Sequence, residues 1–144
     1  MIEGLKIIPL KIINTEGGDV YHVMKDSEEG FSGFGEAYFS SINPGAIKAW
    51  KRHHNMTLNL AVPTGEIKFV IYDDRNPAKT LFNEYTLSKE NYCRLTIPPM
   101  VWVGFKGLGK ITSMLINIAN MPHDQNEFDR KDIDKINFNW KENQ

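Results

Sequence analysis

Between Asn43 and Arg75 the chain reads NPGAIKAWKRHHNMTLNLAVPTGEIKFVIYDDR, and this stretch limits the possible folds more tightly than any other. Its larger apolar residues, Leu58, Leu60 and Val62 and then Ile67, Phe69 and Ile71, recur at every second position, the spacing that lines one face of a pleated strand. A Pro-Thr-Gly-Glu turn separates the two runs. The pair therefore predicts an antiparallel hairpin with one face toward a core. The segment before it, Ile47 to His54, sets Lys48, Lys51, Arg52, His53 and His54 among Ala49 and Trp50. An ordinary core strand does not tolerate that many charges, and a solvated loop has no need of the tryptophan. A strand with a polar inward face suits a barrel that encloses a ligand cavity, because small barrels otherwise fill their interior with side chains.

Strand signals continue on both sides. Leu5 to Asn14 and Val20 to Met24 flank a Glu-Gly-Gly-Asp turn and predict an N-terminal hairpin. Phe34 to Ile42 leads into Asn43-Pro44-Gly45, where Pro fixes φ and Gly accepts a positive φ. Thr80 to Leu87, Cys93 to Ile97 leading into Pro98 to Phe105, and Ile111 to Ala119 follow with turn residues between them. Eight to ten strands at short intervals predict an all-β sandwich or barrel. From Asn120 to Gln144 the chain becomes more acidic and contains Pro122. We expect a tail packed over the barrel, with at most one short helix around Glu127 to Ile136.

With 144 residues the chain is expected to form a single domain, 1–144, able to stand without disulfides. Its one cysteine, Cys93, excludes an intramolecular disulfide and fits a reducing compartment. The N-terminus carries an early acid and a broken apolar run, unlike a signal peptide or a membrane span. The expected location is cytoplasmic. A net charge of −1 gives no global case for nucleic acid or for acidic membranes, so any anion site must be local.

Four features together resemble the dTDP-4-dehydrorhamnose 3,5-epimerase family: Gly45-Ala46-Ile47-Lys48, the hairpin from Gly65-Glu66-Ile67 to Asp73-Asp74-Arg75, the segment Ile97 to Phe105, and an acidic tail closing on Trp140. The resemblance covers the chain from about Phe34 onward. It implies a cupin-like double-stranded β-helix (jelly-roll) barrel with a short C-terminal tail, a homodimer, no cofactor, and a dTDP- or UDP-linked 4-keto sugar as substrate. Such an enzyme removes a proton next to the ketone and returns one, which requires a base near neutral pKa and a donor.

Where the family carries Arg-Gly-x-His, this chain has Lys48, Ala49, Trp50 and Lys51. The tyrosine acid of the family falls near Met121 or Pro122. The acid–base candidates are therefore Lys51, if burial lowers its pKa, His53, His54 and Tyr72. Adjacent strand residues point to opposite sides, so only one of the two histidines is expected to face the pocket. Lys48 and Arg52, four apart on one strand, are expected on one face as a diphosphate-binding pair, with Trp50 stacking on a ring. No metal is expected, because the histidines are adjacent and no Glu follows before Glu66. The readings are an epimerase, the related 3,4-ketoisomerase branch, or a non-catalytic cupin that binds a sugar nucleotide.

Overall fold

The computed structural model describes residues 1–141. In chain order the strands are β1 (Lys6–Pro9), β2 (Ile12–Ile13), β3 (Val20–Tyr21), β4 (Glu36–Ile42), β5 (Ile47–His53), β6 (Leu58–Thr64), β7 (Glu66–Asp73), β8 (Leu81–Ser88), β9 (Cys93–Ile97), β10 (Trp102–Leu108), β11 (Ser113–Ala119) and β12 (Phe128–Arg130), followed by a 3₁₀ turn, Ile133–Lys135. Two five-stranded antiparallel sheets form the body, in the orders β1-β9-β6-β11-β4 and β12-β5-β10-β7-β8. Every ladder is antiparallel, and the two sheets face each other as a jelly roll.

The alternating residues of the central hairpin explain the core. Leu58, Leu60 and Val62 from β6 meet Ile67, Phe69 and Ile71 from β7, with Leu95, Ile97 and Leu115 completing the filling between the sheets. A second cluster, Trp50, Val70, Trp102, Ile136 and Trp140, lies on the outer face of the second sheet, where the tail covers it. Gly45 has φ +78°, as the turn joining β4 to β5 requires.

One expectation is corrected. The N-terminal stretch is not one strand in a hairpin: β1 pairs with β9, and only the short β2 and β3 pair with each other. Pro9, which has no N–H to give to a ladder, closes β1. The tail stays within the expected limit of one short helix, its only helical turn among the described residues being the 3₁₀ turn Ile133–Lys135. Phe128–Arg130 adds to β5 as an edge strand, because its side chains find partners on alternate faces of β5 and not along one helical stripe. The final residues of the expected tail, 142–144, lie outside the described residues.

Candidate active site

A cavity of about 940 Å³ opens between the sheets on the β4–β5 side. Tyr38 and Ser40 line it from β4, Lys48, Lys51 and His53 from β5, and Leu58, Leu60, Val103, Phe105 and Leu115 form its apolar wall, with Arg130, Lys131 and Lys135 of the tail at its rim.

A bulge decides which β5 side chains enter. Lys51 pairs with Val103 and Lys48 with Phe105, so Ala49 and Trp50 together stand opposite Gly104. Two residues against one shift the phase of the strand. Lys48, Lys51 and His53 all line the cavity, while Trp50 joins the outer cluster and Arg52 stacks its guanidinium 4.7 Å from the Trp102 ring. The expected shared face of Lys48 and Arg52 is thus corrected. Without the bulge, a spacing of four would have kept them together. Arg52 instead binds Asp129 through Nε at 3.0 Å and Nη2 at 2.7 Å, and His54 Nε2 approaches the same carboxylate at 2.9 Å. Trp50 borders the cavity, but its ring packs into the outer cluster with Val70, Trp102 and Trp140. Its Nε1–H donates to the Ile133 carbonyl at 3.3 Å, and its ring lies 5.4 Å from that of Trp140. Tyr72 is also on the outer face, stacked 4.6 Å from Phe82. It is not placed to donate a proton inside the barrel.

His53 has the geometry of a base. Its side chain is 7% exposed, and Nδ1 is hydrogen-bonded to the carboxylate of Glu127, itself 5% exposed. A carboxylate only accepts, so Nδ1 carries the proton and the Nε2 lone pair is the basic one. Nε2 has no hydrogen-bonding partner among the described residues. Burial pushes His53 below the ordinary imidazole value, Glu127 opposes that shift, and the charges of Lys51 and His123 reinforce it. Burial alone would raise the Glu127 carboxyl. The hydrogen bonds from His53 and from the backbone N–H groups of Asn55 and Met56 outweigh burial and hold it below the usual carboxylate range. The pair is therefore a neutral imidazole oriented by an anionic carboxylate.

Lys51, beside His53 on the same wall, has its Nζ 4.1 Å from the Phe128 ring centre. Burial first, and then the neighbouring Arg130, lower its pKa. Lys48 Nζ donates to the Ser41 carbonyl at 2.8 Å. Glu127 and Arg130 were not among the candidates read from the sequence. Glu127 is 74 residues from His53 along the chain, and the only signal pointing to it was the acidic tail.

Among the described residues no three His, Cys, Asp or Glu side chains converge on a metal site, and no helix is long and apolar enough to cross a membrane. Cys93 is a free, buried thiol, its pKa raised by that burial.

An imidazole–carboxylate pair inside the cation-lined cavity of a jelly-roll barrel is a set of groups suited to acid–base chemistry. The chain belongs to the cupin-type family of sugar-nucleotide epimerases and isomerases related to dTDP-4-dehydrorhamnose 3,5-epimerase. It is 31% identical over 146 residues to the spore coat polysaccharide biosynthesis protein SpsL of Bacillus subtilis, with 97% of each chain covered. The crystal structure of a dTDP sugar isomerase from Desulfovibrio desulfuricans G20 superposes with a TM-score of 0.92 at 41% identity, covering 96% of this chain and 91% of that one. A 3,5-epimerase from Legionella pneumophila, crystallised with dTDP-4-keto-L-rhamnose, shares the fold at 22% identity and a TM-score of 0.76, over 88% of this chain and 71% of that one. No protein-family model matches the chain.

Proposed function

We propose that the protein epimerises or isomerises a nucleotide-linked 4-keto sugar of polysaccharide biosynthesis by removing a proton next to the ketone, with His53 as the base. The observation that carries this reading is the buried His53–Glu127 pair, whose proton-free Nε2 belongs to a side chain lining the cavity. Nε2 takes the proton, Glu127 holds the ring in the required tautomer, and Lys51 places a cation on the same wall, where negative charge develops on the ketone oxygen. Lys48, Arg130 and Lys135 stand at the opening, with Asp132 the one acid among the lining residues, while Lys131 turns its Nζ to the Trp102 ring on the outer face, 4.7 Å from its centre. The cations at the opening suit a diphosphate. The apolar wall of Leu60, Val103, Phe105 and Leu115 suits a deoxy sugar or a nucleobase face. The family relatives support this substrate class, since one is a dTDP sugar isomerase.

The same reading extends to the assembly and its location. β4 is an edge strand of the first sheet and carries Phe39, 63% exposed. Such an edge is usually paired or covered, which supports a homodimer, to be checked by sedimentation. The free thiol of Cys93 supports a reducing, cytoplasmic setting.

The test is incubation with dTDP- and UDP-linked 4-keto-6-deoxy sugars in heavy water, followed by mass and proton spectra of the recovered nucleotide. Deuterium next to the ketone, absent with His53→Asn, is the expected result. Binding without deuterium incorporation for every such sugar would overturn the proposal.

A further inference from the structure

β12 is a weak element by itself: three residues, Phe128–Arg130, at the edge of a sheet. Its backbone pairs with β5 alone, Phe128 with His53, Asp129 with Arg52 and Arg130 with Lys51. A ladder this short is marginal without side-chain contacts. Yet two groups of the site depend on where it lies. Glu127, the residue before it, carries the carboxylate that orients His53, and Arg130, its last residue, lines the cavity.

The side chain between them points the other way, as the alternation of a strand requires. Asp129 lies against Arg52 and His54. One of its oxygens, Oδ2, receives Arg52 Nε at 3.0 Å and Nη2 at 2.7 Å, and His54 Nε2 stands 2.9 Å from it. Hydrogen bonds from Arg52 first, and then from His54, hold the Asp129 carboxyl below its ordinary value. Asp129 is 37% exposed, and a lone ion pair at that exposure holds little. Arg52, however, is already fixed. Its guanidinium lies 4.7 Å from the Trp102 ring and 3.9 Å from Asp74 Oδ1, and Trp102 Nε1–H donates to Asp74 Oδ2 at 3.3 Å. The Trp102 ring is itself buried in the outer cluster. The clamp is therefore anchored in packed structure, and Arg52 has little side-chain freedom left to lose when it takes hold of Asp129.

We propose that Asp129 is a positioning residue for the reaction: gripped by Arg52 and His54 on the side away from the cavity, it pins β12 so that Glu127 reaches His53 Nδ1 and Arg130 reaches the cavity. This rests on His53 being the base. The Asp129 carboxylate touches none of the reacting atoms; it acts through the proton on His53. With β12 displaced, Glu127 no longer selects the Nδ1–H tautomer. The proton then settles on Nε2, and the lone pair that would take the substrate proton is gone from the cavity.

The experiment compares wild type, Asp129→Ala, Glu127→Ala and the double variant. Nitrogen NMR spectra of protein labelled at its histidines read the His53 tautomer, assigned by the signals missing from His53→Asn. Deuterium exchange from heavy water into dTDP- and UDP-linked 4-keto-6-deoxy sugars, at saturating sugar, reads the rate. Melting temperatures verify folding; where Asp129→Ala is unfolded, Arg52→Met takes its place, since it removes the donors and keeps an apolar stem on Trp102. Asp129→Ala should move the His53 proton from Nδ1 to Nε2 and slow exchange by about 10- to 10²-fold, the scale of a catalytic group displaced by about an ångström. The double variant should be no slower than Glu127→Ala, because both changes remove one and the same contact. A folded Asp129→Ala protein with the His53 proton still on Nδ1, or losses that multiply in the double variant, overturns the positioning role. A wild type that exchanges no proton on any of these sugars sinks the functional reading instead, and the tautomer spectra, which need no substrate, still decide on the clamp.

Discussion

His53 shows what a single side chain gains from burial and from its partner. Burial favours the neutral ring that a base needs, and Glu127 pulls the opposite way while fixing the tautomer. Replacing His53 by Asn should lower kcat by about 10²-fold or more while thymidine diphosphate still binds, checked by steady-state kinetics and calorimetry; an active His53→Asn enzyme would remove the base from this account. Glu127→Gln has a less obvious sign. Since the carboxylate raises the His53 pKa, removing its charge lets desolvation dominate, and the acid limb of the kcat/KM profile should move to lower pH as the maximal rate falls. A limb that moves to higher pH would mean that another group titrates there. The sequence alone made part of this legible: alternation placed one of His53 and His54 inside and the other outside. It could not show the Glu127 contact, which depends on a tail strand folding back across the whole chain.

At the level of the strand, the period of two held wherever the ladder was unbroken. Leu58, Leu60 and Val62, and Ile67, Phe69 and Ile71, all reach the core. It failed within β5, because the bulge opposite Gly104 adds one residue and turns Lys48 to the same side as Lys51 and Arg52 to the other. Nothing in the local sequence announces that insertion. Gly104 suggests why it is tolerated: a Cβ there would lie 2.8 Å from the Ala49 Cβ and 3.0 Å from both the Trp50 and Trp140 rings. Gly104→Ala should overpack this seam and destabilise the fold by about 1–3 kcal/mol. Because β5 must then shift, kcat should fall with Tm, as thermal melts and kinetics on the same preparation would report. A variant with wild-type melting and turnover would show that the seam has slack.

Across the whole molecule, charge is nearly balanced at −1, which argues against long-range attraction of an anion and left a local site as the alternative. The structure supplies one by gathering cations from distant parts of the chain. Lys48 and Lys51 come from β5, and Arg130 and Lys135 from the tail. The tail was legible in the sequence as a cover over the barrel but not as a contributor to the cavity, because its helical reading pointed those side chains along one stripe. If these cations hold a diphosphate, affinity must be electrostatic and partly screened. Raising salt from about 0.05 M to 0.5 M, which shortens the screening length from over 10 Å to a few Å, should weaken thymidine diphosphate binding by roughly 10-fold while leaving the much weaker binding of uncharged thymidine nearly unchanged. Arg130→Ala should weaken diphosphate binding by about 1.5–3 kcal/mol, the usual worth of a hydrogen bond to a charged group, and should flatten the salt dependence. The two ligands titrated into both proteins at both salts decide the matter: equal salt sensitivity for thymidine and its diphosphate would mean that the cationic rim is a solvated edge and that the nucleotide is held elsewhere in the barrel.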